Sequence, residues 1–126
     1  MKEIINTSNA PAPIGPYNQA VKAGNTLYIS GQIALSPESG NLVLDSIAGQ
    51  TKQVLENLHA ILQEAGYSFA DVVKTSIFLT DMANFNIVNE VYGEYFTENA
   101  PARETIAVKG LPKGVDVEIS CIAWKA

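Results

Sequence analysis

Two stretches of this chain carry helical spacing, and nearly everything around them is β-prone. From about Ser46 to Ala65, residues Ile47, Thr51, Val54, Leu58, Ile61, Leu62 and Ala65 fall on one helical face, with Asp45 or Ser46 placed to cap the start. Gly66 follows the last periodic residue, where a left-handed C-terminal cap belongs. Phe85, Val88, Tyr92, Tyr95 and Phe96 repeat the spacing before Pro101, predicting a second helix. Strands are expected at Tyr17 to Lys22 and Thr26 to Ile33, paired as a hairpin around Gly24-Asn25, and at the β-branched run Val72 to Thr80. Arg103 to Val108 and Asp116 to Trp124 close the chain as two more, and Lys2 to Ile5 adds a short one at the start. The loop Asn9 to Pro16 holds three prolines, which stiffen it in extended conformations.

This order predicts an α+β domain: a mixed six-stranded sheet with both helices on one face. Two helices cannot cover both sides of such a sheet. The second face must meet water or another subunit, and a homo-oligomer is the expected solution.

At 126 residues the chain is expected to be one domain spanning 1–126, long enough for a core without disulfides or metal. Eight basic residues against thirteen acidic ones leave a net charge of −5, which argues against nucleic acid or an anionic membrane as partner. The one cysteine, Cys121, excludes an intrachain disulfide and a Cys-based zinc site; the one histidine, His59, leaves no His cluster. The N-terminus lacks the apolar stretch of a signal peptide, and no run approaches the ~20 apolar residues that span a bilayer, so a soluble, cytoplasmic protein is expected. No phosphate loop, dinucleotide fingerprint or metal cluster is present, so any chemistry is expected to need no cofactor and no metal.

Seven of the eight basic residues are lysines; the single arginine is Arg103, in Pro101-Ala-Arg-Glu-Thr105 at a loop-to-strand junction. A guanidinium grips a carboxylate with two parallel hydrogen bonds, which lysine does not reproduce. The plain alternative is a surface salt bridge. Glu118 interrupts the apolar last strand. Alternation places Val117, Ile119, Cys121 and Ala123 on one face and Glu118, Ser120, Ile122 and Trp124 on the other. A carboxylate there needs a partner or a wet pocket, and a neighbouring strand could bring Arg103 towards it; a raised pKa would suit it for moving protons. Otherwise it is an exposed side chain on the open face. Tyr17 and Gln19 alternate onto one face of the first long strand, with the Tyr17 hydroxyl at its mouth or simply half-buried. In Ser30-Gly31-Gln32, a glycine inside an apolar strand marks a bulge or a close backbone approach. Cys121 reads as a small buried hydrophobe, His59 as a structural residue, and Tyr92, Tyr95 and Phe96 as core. The residues alone point to a small anion-binding pocket with an arginine, a glutamate and a tyrosine.

Ile14-Gly-Pro-Tyr17-Asn-Gln19, Ser30-Gly-Gln32, Pro101-Ala-Arg103, Leu111-Pro112 and Val117-Glu118-Ile119 together closely resemble the RidA (YjgF) family of reactive-intermediate deaminases, over essentially the whole chain. The resemblance implies a chorismate-mutase-like fold assembled as a homotrimeric barrel, with ligand sites in the clefts between subunits. It also implies hydrolysis of 2-imino and 2-enamino acids, such as 2-aminoacrylate and 2-iminobutanoate, to 2-oxo acids and ammonia. By position, Arg103 would clamp the substrate carboxylate, Glu118 would activate water, and Gly31 and Ser30 would help hold the ligand. Tyr17 and Asn89 would come from the adjacent subunit, with Phe85 as a wall. Thr105 stands where many members have a cysteine, offering a hydroxyl instead, and the segment Phe96 to Ala100 is shorter than in well-known members. A ligand-binding trimer without catalysis is the alternative on the same scaffold.

Overall fold

The computed structural model describes residues 1–126. In chain order the elements are β1 (Glu3–Ile5), β2 (Ala20–Ala23), β3 (Thr26–Gln32), α1 (Ile47–Glu64), β4 (Val72–Leu79), α2 (Phe85–Tyr95), β5 (Ala102–Ala107) and β6 (Val117–Trp124). They form the expected mixed sheet of six strands, in the order β1-β2-β3-β6-β4-β5. Only β4 and β5 run parallel, since α2 carries the chain back between them; the other neighbours are antiparallel.

Of the two candidate caps for α1, Ser46 serves: its hydroxyl accepts the Gly49 N–H at 2.9 Å. Gly66 ends the helix at φ +80°, a conformation costly for a side chain with a Cβ. Most of the stripe read from the sequence is buried: Thr51, Val54, Leu58, Ile61 and Leu62 are at most 1% exposed and are joined by Leu55, while Ile47 and Ala65 are half-buried. It meets Val117, Ile119, Cys121 and Ala123 of β6 and Ile77 and Leu79 of β4, all 4% exposed or less, in one core. The helices are tied to each other where the Tyr95 hydroxyl donates to Glu56 at 2.8 Å. His59 stacks on Phe69 with ring centroids 5.4 Å apart, a structural role.

The far side of the sheet is different. Ile4, Val21, Tyr28 and Ile122 face one another in register across β1, β2, β3 and β6. Tyr28 and Trp124 are each 50% exposed, and Ile106 is 46% exposed. An apolar stripe of this kind on a bare sheet face is the surface that sequence reasoning assigned to water or another subunit.

One strand begins later than expected. The chain from Tyr17 is not extended: the Tyr17 N–H donates to the Gly15 carbonyl at 2.8 Å, and β2 starts only at Ala20. Tyr17 and Gln19 therefore share no strand face. The reason is Gln19, 1% exposed, whose side chain turns inward to bind the proline-rich loop. Its Nε2 donates to the carbonyls of Thr7, Ala10 and Pro11, and its Oε1 accepts the Thr7 N–H at 2.6 Å. A buried amide satisfied on both ends outweighs two more rungs of a ladder.

Candidate functional site

Gly31 sits where β3 and β6 slip register, between Ile29 and Gln32, so the glycine marks both a bulge and a close approach. A Cβ at position 31 would stand 2.5 Å from Oε2 of Glu118 and 2.7 Å from its Cδ. Only a hydrogen leaves room for the carboxylate. Glu118 lines a cavity of about 330 Å³ with Tyr17, Ser30, Gly31, Pro112 and the loop residues Pro11, Ala12 and Ile14. It makes no ion pair, the one in the chain being Lys74 to Glu104 at 2.9 Å. Burial pushes the Glu118 carboxyl above the usual carboxylate range.

The wall opposite Glu118 is built by the proline-rich loop. Gln19 anchors the loop's backbone, and the Ser30 hydroxyl donates to the Asn18 carbonyl at 2.7 Å, tying the turn to β3. The Tyr17 hydroxyl oxygen accepts the Ile14 N–H at 3.2 Å, which leaves its own proton free for another acceptor. Sequence reasoning named Tyr17 and Ser30 but missed the anchoring role of Gln19. No local pattern announces it, because the partners lie 8 to 12 residues away on an irregular loop.

Arg103 is elsewhere. It pairs in register with Thr75, whose hydroxyl meets α2, so its side chain lies on the helix-covered face of the sheet. Its Cζ stands 5.0 Å from the Tyr92 ring centroid and 5.6 Å from that of Phe85. Asn89 lies on the same face of α2 as both rings, four residues after Phe85 and three before Tyr92. Thr105, two residues along β5 and on the same side as Arg103, has a buried hydroxyl with no hydrogen-bond partner. Arg103 has neither a carboxylate partner nor a side-chain hydrogen bond to another residue. The surface salt bridge considered for it does not form, and the guanidinium fork is left unengaged.

The eight candidates thus divide into two groups. Tyr17, Ser30, Gly31 and Glu118 share one cavity; Arg103, Thr105, Phe85 and Asn89 share the other locality, with Tyr92. Glu118 pairs with Phe78 and Arg103 with Thr75, positions of opposite parity on β4, so the sheet itself stands between them. The expectation that a neighbouring strand brings Arg103 towards Glu118 is therefore corrected: β4 intervenes, and the side chains point to opposite faces. The resemblance implies that Tyr17 and Asn89 come from the adjacent subunit; within one chain, Tyr17 stands with Glu118 and Gly31, and Asn89 with Phe85 and Tyr92 on α2. Tyr92, taken from its spacing as core alone, is both core and the ring under the arginine.

No three His, Cys, Asp or Glu side chains converge as metal ligands, and no helix is long and apolar enough to cross a membrane. Residues 7–125 match the family described as Endoribonuclease L-PSP. A RutC family protein of Pyrococcus horikoshii is 56% identical over 99% of both chains. The human 2-iminobutanoate/2-iminopropanoate deaminase is 48% identical over 98% of this chain and 90% of its own. The structure of Escherichia coli TdcF with bound serine superposes with a TM-score of 0.94 at 39% identity, covering 98% of this chain and 99% of that one. By the match across 7–125 and by identity near one half over whole chains, this chain belongs to the Endoribonuclease L-PSP family, the family of RidA and RutC proteins.

Proposed function

We propose that this protein is a cofactor-independent hydrolase of 2-imino and 2-enamino acids, assembled as a homotrimer of single-domain chains with the chorismate-mutase-like barrel arrangement. The observation that carries the reading is the split site. A free arginine and an orphaned hydroxyl lie on one face of the sheet, and an unpaired carboxylate in a cavity lies on the other. Neither half handles an imino acid alone. Placed across a subunit interface, Arg103, Thr105, Asn89 and Phe85 of one chain meet Glu118, Tyr17, Gly31 and Ser30 of the next. The apolar stripe of Tyr28, Ile122 and Trp124 gives such an assembly a surface to bury. The name of the human relative supports the reaction, and serine bound to TdcF supports a ligand with an α-carboxylate.

In this site Arg103 clamps the carboxylate bidentately, and Thr105 donates to or accepts from the polar group at C2. The protonated imine carbon is already electrophilic. Glu118 takes one proton from water as the oxygen–carbon bond forms and passes it to nitrogen. As the carbon–nitrogen bond breaks, it takes the remaining hydroxyl proton and hands it to the departing ammonia, so that the 2-oxo acid and ammonium leave and the carboxylate is restored. A carboxyl held above its usual range is suited to both transfers. The backbone at Gly31 and the free Tyr17 proton orient the substrate. A net charge of −5 does not favour RNA as the substrate.

The test couples the protein to a threonine dehydratase and follows 2-oxo acid release while semicarbazide competes for the imine. Arg103→Ala and Glu118→Gln should each lose activity while light scattering still reports a trimer. Unfolded together and refolded, the two variants should recover about a quarter of wild-type activity, since random trimers pair an intact Arg103 with an intact Glu118 at about one interface in four. Hybrid trimers without recovered activity would refute the shared site. An inactive wild-type trimer that binds 2-oxobutanoate would make the protein a binder instead.

A further inference from the structure

Thr75 is fully buried in the middle of β4, on the face that carries Ile77 and Leu79, and burying a hydroxyl there is costly without a partner. Its one partner is the Tyr92 hydroxyl, 2.8 Å away and itself inside the core. A Val–Phe pair would fill this space with no polar burial. The polar pair adds orientation: it pins the hydroxyl end of Tyr92 and so the direction of the ring's long axis, while Phe96 at 4.6 Å packs against the ring itself. The Arg103 guanidinium lies 5.0 Å from the ring centroid, and Arg103 is also the residue in register with Thr75. One strand position thus addresses the arginine twice, through the sheet ladder and through the tyrosine.

We infer that Tyr92, oriented by the Thr75 hydroxyl, is a positioning residue that holds the Arg103 guanidinium with its fork open for a carboxylate. The inference rests on the carboxylate-clamp reading above. A free arginine side chain samples many rotamers, and each must be lost when a ligand is bound. An aromatic face under the cation removes much of that loss beforehand, and it does so without a carboxylate that would compete with the ligand. Phe85 contributes a second ring, though from 5.6 Å.

Arg103 is the chain's one arginine, so its Nε–H is the one arginine side-chain signal in a proton–nitrogen correlation spectrum. In the wild type the ring face should displace that signal upfield, and Tyr92→Leu should return it towards the position seen in the urea-unfolded chain. Tyr92→Phe, which keeps the ring, should retain most of the displacement. Titration with 2-oxobutanoate should give a Kd weakened about tenfold in Tyr92→Leu and about threefold or less in Tyr92→Phe. The KM for the imine should follow the Kd while kcat stays within about twofold of wild type, because the chemistry lies at Glu118. If Tyr92→Leu does not fold, the isosteric Thr75→Val carries the test: it removes the same hydrogen bond as Tyr92→Phe, so it should lose a similar, smaller part of the Nε displacement and weaken the Kd by up to about threefold. Unchanged signal and Kd in Thr75→Val, or in Tyr92→Leu, overturn the inference. A displaced signal that responds to Tyr92→Leu but not to 2-oxobutanoate upholds the positioning and overturns the clamp reading instead.

Discussion

Replacing Gly31 by alanine perturbs the site at its tightest point. The new Cβ would lie 2.5 Å from Oε2, 2.7 Å from Cδ and 3.1 Å from Cγ of Glu118, where ordinary contact begins at 3.4 Å. The carboxylate must therefore withdraw by close to 1 Å. Position 31 is not in the left-handed region, so alanine adds no backbone strain and the whole effect passes through Glu118. The carboxylate can swing into the adjoining cavity, which places the cost at the lower end of overpacking, about 1 kcal/mol. For a chain of this size that lowers Tm by about 4 °C. Activity should suffer far more: moving a proton-transfer group by 1 Å costs about 10²-fold in kcat. Thermal unfolding and the semicarbazide-competition assay measure the two effects separately. A double-mutant cycle isolates the cause, since Gly31→Ala in a Glu118→Ala background should cost less than about 0.3 kcal/mol. Equal stability losses in both backgrounds, or full turnover in Gly31→Ala, would refute the steric argument.

Two further outcomes follow from the titrating groups. Burial raises the folded-state pKa of Glu118, so its contribution to stability is complete below the usual carboxylate range and is lost as pH rises through the raised value. Glu118→Gln should therefore raise Tm at pH 7, with the gain fading as pH falls to about 4; a gain independent of pH would show that charge is not the cause. Cys121 is 4% exposed with its thiol pushed up to about 12, so at pH 8 a disulfide reagent should label the native protein at least ~10³-fold more slowly than the urea-unfolded chain. Fast labelling of the native protein would place the thiol at the surface.

The division of the site has a simple origin. Alternation along a strand sends neighbouring side chains to opposite faces, so residues on a shared sheet meet only when their parity agrees. Arg103 and Thr105 agree with Thr75 and Ile77; Glu118 agrees with Phe78. On the proposed reading a second chain completes such a site, and the apolar stripe across β1, β2, β3 and β6 is a bare face available to it. The polar pair of Thr75 and Tyr92 stands on the other side, inside the core, where it can act on Arg103 without meeting solvent.

Periodicity alone marked both helices, the succession of elements along the chain and most of the core stripe, because burial of one face imposes a 3.6- or 2-residue repeat that survives in any sequence with such elements. Ser46, Gly66 and Gly31 were legible for the same reason: capping, a positive φ and a close approach each demand particular residue types locally. The residue types also marked Arg103, Glu118 and Tyr17 as candidates for the chemistry. What only the tertiary structure decided were relations between distant positions. Register parity put Arg103 and Glu118 on opposite faces, Gln19 spent its amide on the proline-rich loop and delayed β2, and Tyr92 became the support of an arginine eleven residues further on. Such relations depend on which strand lies beside which and on which buried polar group finds a partner. Those are properties of the packed sheet, and no local spacing encodes them.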